Sequence, residues 1–298
     1  MRFVTPLLVA LSGTGCILAS PVVLSPRTPH TFKHKDRQRL STPKVAVGIS
    51  VANTISLVVS NGDNSASRIN STNSRSKYKN STATAHTQYS ANWSGAIVHG
   101  TGYETVTGTI VVPRPQIPSG HSPEKFYGAS AWVGLDGDSD CPGAILQVGI
   151  DFNIQNGTVD YDAWFEWFPD YAYNFVGFPL HAGDVVTLTA TAVNTRMGSV
   201  IIENKTTAQS VVHTFVGEMQ PLCQTSAEWI IEDYSVGGEL VGLCDWGRAT
   251  FTDCEAKQFS GTTASLSDAT IYDISGNGNV MTDCSIFGND IVTCKYTG

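Results

Sequence analysis

Residues 144–152 read "AILQVGIDF", and the alternation within them decides the fold. In an extended chain, residues two apart share a face. Ala144, Leu146, Val148 and Ile150 then form a purely apolar face, while Ile145, Gln147, Gly149 and Asp151 point the other way. Such a strand fits a hydrophobic core on one side and carries an amide and a carboxylate on the other.

Two more stretches repeat the pattern. "AEWIIEDY" (227–234) places Ala227, Trp229, Ile231 and Asp233 on one face, and Glu228, Ile230, Glu232 and Tyr234 on the other. "YDAWFEWF" (161–168) splits into Tyr161, Ala163, Phe165 and Trp167 against Asp162, Trp164, Glu166 and Phe168. A carboxylate taken out of water is costly unless paired, so acids among large apolar residues announce an ion-pair network or an active site. If the three strands are neighbours, their polar faces make a cleft. The alternative is an ordinary solvated strand face; Trp164 and Phe168 beside the acids weigh against it, since such faces favour Thr, Lys and Ser, and polar groups with Trp suit a polymeric substrate or a sugar chain.

Further short runs occur beyond Tyr89, among them "GTIVVP", "DVVTLTATAV", "GSVIIENKTT", "QSVVHTF" and "NDIVTCKY", separated by Gly, Asn and Asp clusters. Helical periodicity is nearly absent. This spacing predicts an all-β fold, an antiparallel β-sandwich or barrel.

Charge divides the chain in two. Of its 18 Lys/Arg and 26 Asp/Glu, residues 1–83 hold 11 and 2, leaving 7 and 24 for residues 84–298. The acidic part repels nucleic acid and anionic membrane, and neither is expected as a partner. "MRFVTPLLVALSGTGCILAS" (1–20) has the basic start, short apolar stretch and small-residue end of a secretory signal peptide. Residues 21–86 are basic, Pro-containing and then rich in Ser, Asn and Thr, which predicts a pro-segment with a flexible linker. The folded β-sandwich domain is expected over 87–298, with the mature chain starting near Tyr89. A basic pro-segment should bind the acidic domain at neutral pH and let go as carboxylates protonate.

With Cys16 in the signal, Cys141, Cys223, Cys244, Cys254, Cys284 and Cys294 remain, an even number that predicts disulfides and export. Short spacing favours Cys284–Cys294 and Cys244–Cys254, leaving Cys141–Cys223. No C-x-x-C occurs and no His lies at ligand spacing from a Cys, so neither metal nor cofactor is expected. Sequons at Asn70, Asn80, Asn92, Asn156 and Asn204 are compatible with a glycosylating secretory route. G-x-S-x-G, H-E-x-x-H and Asp-Thr/Ser-Gly motifs are all missing, and His99, His121, His181 and His213 stand apart in the sequence. Carboxylate and amide chemistry remains.

From about Tyr89 onward, the chain resembles the glutamic peptidases, or eqolisins. The resemblance is carried in order by "NWSGAIV" (92–98), "AWVGLDGD" (131–138), "AILQVGIDF" (144–152), "YDAWFEWFPDYAY" (161–173) and "AEWIIEDY" (227–234). It implies a concanavalin A-like sandwich of two antiparallel sheets, and a pepstatin-insensitive endopeptidase secreted as a zymogen and active in acid. Its catalytic Gln/Glu dyad falls on Gln147 and Glu232. Cleft residues correspond to Trp132, Asp136, Asp151, Asp162, Trp164 and Glu166, with Trp93 nearby. The chain departs from the family pattern at "GDSDCPG" (137–143), one residue longer, and in its cysteines.

The implied mechanism is attack by water on a peptide carbonyl, with Glu232 as general base and then acid, and Gln147 as water positioner and oxyanion donor. Working in acid requires Glu232 to stay ionised below the ordinary Glu value of about 4.3. Two other readings of the same faces are a glycoside hydrolase using Glu166 and Glu232, and a carbohydrate-binding sandwich stacking sugars on Trp93, Trp132 and Trp164. "PDYAYNF" (169–175) reads as a flap or a plain hairpin. A monomer acting on protein or peptide substrates is expected.

Overall fold

The computed structural model describes residues 87–298; the expected signal peptide (1–20) and pro-segment (21–86), with Asn70 and Asn80, lie outside the described residues. The strands begin with β1 (Thr87–Ser90), β2 (Trp93–His99), β3 (Tyr103–Val111), β4 (Tyr127–Leu135), β5 (Ile145–Gln155) and β6 (Thr158–Phe168). Next come β7 (Tyr173–Asn174), β8 (Val185–Asn194), β9 (Met197–Asn204), β10 (Gln209–Val216), β11 (Ser226–Glu232), β12 (Ser235–Val236) and β13 (Glu239–Leu240). The chain ends with β14 (Arg248–Gln258), β15 (Thr270–Gly276), β16 (Asn279–Val280), β17 (Thr282–Phe287) and β18 (Ile291–Tyr296). Helix among the described residues is limited to the 3-10 turn Leu266–Asp268.

Two sheets make the sandwich. One has nine strands in the order β1-β15-β2-β11-β4-β5-β6-β7, with β16 attached to β15; the other has seven, in the order β10-β9-β8-β3-β14-β18-β17. Pairing is antiparallel except at the edge, where β1 runs parallel to β15.

Alternation explains why the layers stick. In β8, Val186, Leu188, Ala190 and Ala192 are buried while the intervening threonines are only half-buried. Those threonines pair with β3 across the strand, Thr107 with Thr189 and Thr109 with Thr187, each at 2.9 Å between hydroxyls. The apolar face of β5, Leu146, Val148 and Ile150, joins the same core from the opposite sheet. Trp229 of β11 crosses between layers, donating its indole N–H to the Thr107 carbonyl at 2.7 Å. Gly108 makes room for it, since a Cβ there would lie 2.8 Å from the Trp229 ring.

The cysteine expectation holds for two pairs and is corrected for the third. Cys141–Cys223 and Cys284–Cys294 are disulfides, the second joining residues directly opposite on β17 and β18. Cys244 and Cys254 are instead buried free thiols. Sequence proximity misled, because β14 starts at Arg248 and rises about 3.3 Å per residue, carrying Cys254 far from Cys244, beyond the roughly 7 Å that a disulfide spans. Of the sequons, Asn92 and Asn204 are buried, and Asn204 is occupied by the Thr206 and Thr207 backbone N–H groups and by Asp184; Asn156 is exposed, in the β5–β6 turn. The histidines do not all stand alone. His99 lies 3.1 Å from Asp138, and His213 stacks on Phe165 with ring centroids 4.0 Å apart.

Candidate active site

Register brings the three polar faces together on the outer side of the nine-stranded sheet. One row across the strands reads Trp93, Glu232, Ser130, Asp151, Asp162. The next reads Gly95, Ile230, Trp132, Gly149, Trp164, and the third Ile97, Glu228, Gly134, Gln147, Glu166. Eight of the nine expected catalytic and cleft residues therefore fall in these rows, Gln147 and Glu232 on either side of the Trp132 row. Asp136 falls beyond them.

The acids are held by groups that can only donate, or that donate here. Trp132 Nε1 donates to Glu232 Oε2 at 3.0 Å, and Asn92 Nδ2 approaches the other carboxylate oxygen at 3.4 Å. An indole N–H has no acceptor capacity, so it fixes that carboxylate oxygen as the acceptor. Asn92 is oriented by Ser90, whose hydroxyl donates to Asn92 Oδ1 at 3.2 Å and accepts the Trp93 backbone N–H at 3.0 Å. Trp93 meets Trp132 edge-on with centroids 4.9 Å apart.

On the far side of the Trp132 row, Gln147 Nε2 donates to Glu166 Oε2 at 2.9 Å, which orients the amide. Ser130 Oγ donates to Asp151 Oδ1 at 2.7 Å and accepts the Trp164 indole N–H at 3.2 Å. Asn174 Nδ2 donates to Asp162 at 3.0 Å. The segment "PDYAYNF" is thus a hairpin folded back on β6 through β7, with Ala172 packed against the Trp164 side of the site and Tyr171 exposed at its tip.

Asp136 has a different task. With φ of 70°, it turns the chain out of β4, and its carboxylate accepts the backbone N–H groups of Cys223, Gln224 and Thr225 at 2.7–2.8 Å. Burial pushes its carboxyl up while those amides pull against it. It clamps the segment that leads into β11, as does Cys141–Cys223 beside it. The longer "GDSDCPG" loop closes on itself through Gly137 N–H to the Cys141 carbonyl at 3.1 Å.

Asn92, Ser130 and Asn174 were not singled out by sequence reasoning. Ser130 carried a signal, since it shares a face with Trp132. Metal-ligand spacing occurs among the described residues at His99, Asp138 and Asp140, whose ligand atoms lie within 4.8 Å of one another. That trio is an ion-pair cluster: the hydrogen bond His99 donates to Asp138 and the charges of both aspartates raise the His99 pKa against the effect of its burial.

The three rows contain no His, Cys or Lys, so their chemistry is that of carboxyl groups and an oriented primary amide on a β-sandwich. Residues 91–296 match the model of the Peptidase A4 family. The chain belongs to this family. It is 44% identical over 230 residues to Aspergillopepsin-2 of Aspergillus niger, covering 72% of this chain and 80% of that protein. It is also 40% identical over 214 residues to Scytalidopepsin B of Scytalidium lignicola, covering 69% and 78%. Among solved structures, scytalido-glutamic peptidase with a transition state analog inhibitor superposes with a TM-score of 0.63 at 37% identity, covering 70% of this chain and 98% of that one. The two carbohydrate readings give way to this membership.

Proposed function

We propose that the chain is a secreted, acid-active, pepstatin-insensitive endopeptidase working through Glu232 and Gln147. The supporting observation is that both lie on one face of the sheet, each side chain held by a dedicated partner, Trp132 for Glu232 and Glu166 for Gln147.

Glu232, as carboxylate, takes a proton from water while the water oxygen bonds to the scissile carbonyl carbon. Gln147 positions that water and donates its amide N–H to the developing oxyanion. The tetrahedral intermediate collapses as protonated Glu232 returns its proton to the leaving amine, releasing a carboxylic acid and an amine. One such oxyanion donor is typically worth about 3–4 kcal/mol in the transition state. An amide suits acid because it does not titrate there, whereas a second carboxylate would protonate and change role. Trp93, Trp132, Asp151, Asp162, Trp164 and Glu166 line the substrate cleft in this reading. Gln147→Ala should lower kcat by about 10²–10³-fold with little change in KM; an unchanged kcat removes Gln147 from the role.

Export rests on the signal-like N-terminus and on the two disulfides. The basic segment 21–86 acts as an inhibitor of the acidic domain, which works as a monomer. Supplied in trans, it should inhibit at neutral pH and release in acid, and failure to inhibit at neutral pH rejects it.

A further inference from the structure

Glu228 is the acid of the three rows that the mechanism leaves unused, and its surroundings differ from those of the others. Its side chain is fully buried, and its carboxyl oxygens make no hydrogen bond of good geometry, with only the nearby Ser226 hydroxyl to offset their burial. It lies across from Gly134 on β4, and Gly134 lies across from Gln147 on β5. A Cβ placed on Gly134 would be 2.9 Å from Glu228 Oε1, 2.9 Å from Trp132 Cζ3 and 3.3 Å from Gln147 Cβ. The missing side chain of Gly134 thus leaves one small space on which three side chains converge. Trp132 is the donor to Glu232, and Gln147 is the other half of the dyad. Glu228 therefore borders the same space as the support of one and the side chain of the other.

We infer that Glu228 is a positioning residue that works as a neutral, proton-bearing carboxyl wedged between Trp132 and Gln147, and that its ionisation sets the upper pH limit of the peptidase. The inference rests on the function proposed above.

The charges around Glu228 all favour the proton. Burial pushes its carboxyl well above the usual carboxylate range, and Asp136 and Asp138 beyond β4 push the same way; the Ser226 hydroxyl offsets only a part. On its own face of β11 stands Glu232, and Glu166 lies beyond Gln147 in its row. From β2, His99 lies 3.1 Å from Asp138 and pairs with that aspartate when protonated. Tyr103 of β3 and Tyr272 of β15 are phenols with raised pKa values, chiefly from burial, neutral through this range. Among the described residues, no lysine or arginine pairs with Glu228. A carboxyl whose folded-state pKa is raised contributes stability that is complete below its unfolded value, about 4.3, and that is lost as pH rises through the folded value. Ionisation puts an unpaired charge into the space bordered by Trp132 and Gln147, where only the Ser226 hydroxyl offsets it.

The test compares wild type with Glu228→Gln, which keeps the shape of the protonated acid and cannot ionise. The kcat/KM of the processed enzyme is measured from acid to neutral pH on an unfolded protein substrate, with near-UV circular dichroism at each pH. The variant should match wild type in acid within about threefold, while the midpoint of its upper limb moves up by about one pH unit or more. An upper limb that stays where it was overturns the inference, as does acid activity lost to the level of Glu232→Gln. If wild type itself cleaves nothing, the proposed function fails, and Glu228 is judged by thermal unfolding. Glu228→Gln should then raise Tm at neutral pH and not in acid, and an equal shift at both overturns the inference.

Discussion

Trp132 serves the site through two different parts of its side chain. Its N–H holds one oxygen of Glu232, and the far edge of its ring faces the gap above Gly134. Trp132→Phe keeps an aromatic ring and removes the donor. A hydrogen bond to a charged group contributes about 1.5–3 kcal/mol, so kcat/KM should fall by about 10- to 100-fold, with the loss in kcat. Steady-state kinetics separates this from a loss confined to KM, which would show that the indole only binds substrate. At this scale the sequence was legible where alternation ran through a strand, which is why Gln147, Glu166 and Glu232 could be placed together on polar strand faces. Asn92 was not, because it sits in the turn before β2, where a period of two has no hold. Asp136 read as a cleft acid, yet the positive φ that ends β4 turns its carboxylate onto backbone amides, a geometry invisible to residue type.

β4 shows what a strand-level reading misses. "YGASAWVGL" is buried throughout and lies between β11 and β5 at the centre of the site sheet. Its Gly, Ala and Ser content argues against strand by propensity. The cause is local. Ala129, Ala131, Val133 and Leu135 face the core, while Gly128, Ser130 and Gly134 stay small because side chains of neighbouring strands reach over them. Strands with plain alternation, such as β8, β9 and β10, were legible in advance; β2, β14, β15 and β17 were not among the runs picked out. Gly149 on β5 follows the same logic as Gly134. A Cβ there would lie 2.5 Å from Trp164 Cζ2 and 2.6 Å from Trp132 Cβ. Gly149→Ala should therefore force both tryptophans to shift, costing about 1–3 kcal/mol by overpacking. Thermal unfolding should show Tm lower by about 2–4 °C per kcal/mol for a domain of this size, and activity should fall with it. A variant with wild-type Tm and activity would show that the sheet yields at this point.

At the scale of the domain, the burial of Asp136, Glu228 and Asp273 favours acid. Asp273 in β15 is buried, and its pKa is pushed up to about 6 by burial and, less, by Asp283, against hydrogen bonds from Thr282 and the Cys284 backbone. Because the folded value lies above the unfolded one, the stability tied to this proton is complete below about pH 4 and declines until about pH 6. The loss is on the order of 2–3 kcal/mol. Asp273→Asn, which keeps an acceptor for both hydrogen bonds, should flatten the fall of Tm between those pH values, and an unchanged slope in thermal unfolding would contradict it. The acidity of residues 84–298 was legible from composition, whereas which acids are buried depends on register and was not. The central claim is that Glu232 is the working base of a glutamic-type peptidase. It is tested most directly by cleavage of an unfolded protein in acid, with pepstatin present, by the processed wild type beside Glu232→Gln. Pepstatin-resistant cleavage that disappears in a folded Glu232→Gln enzyme is the predicted result, and cleavage that survives the substitution would contradict it.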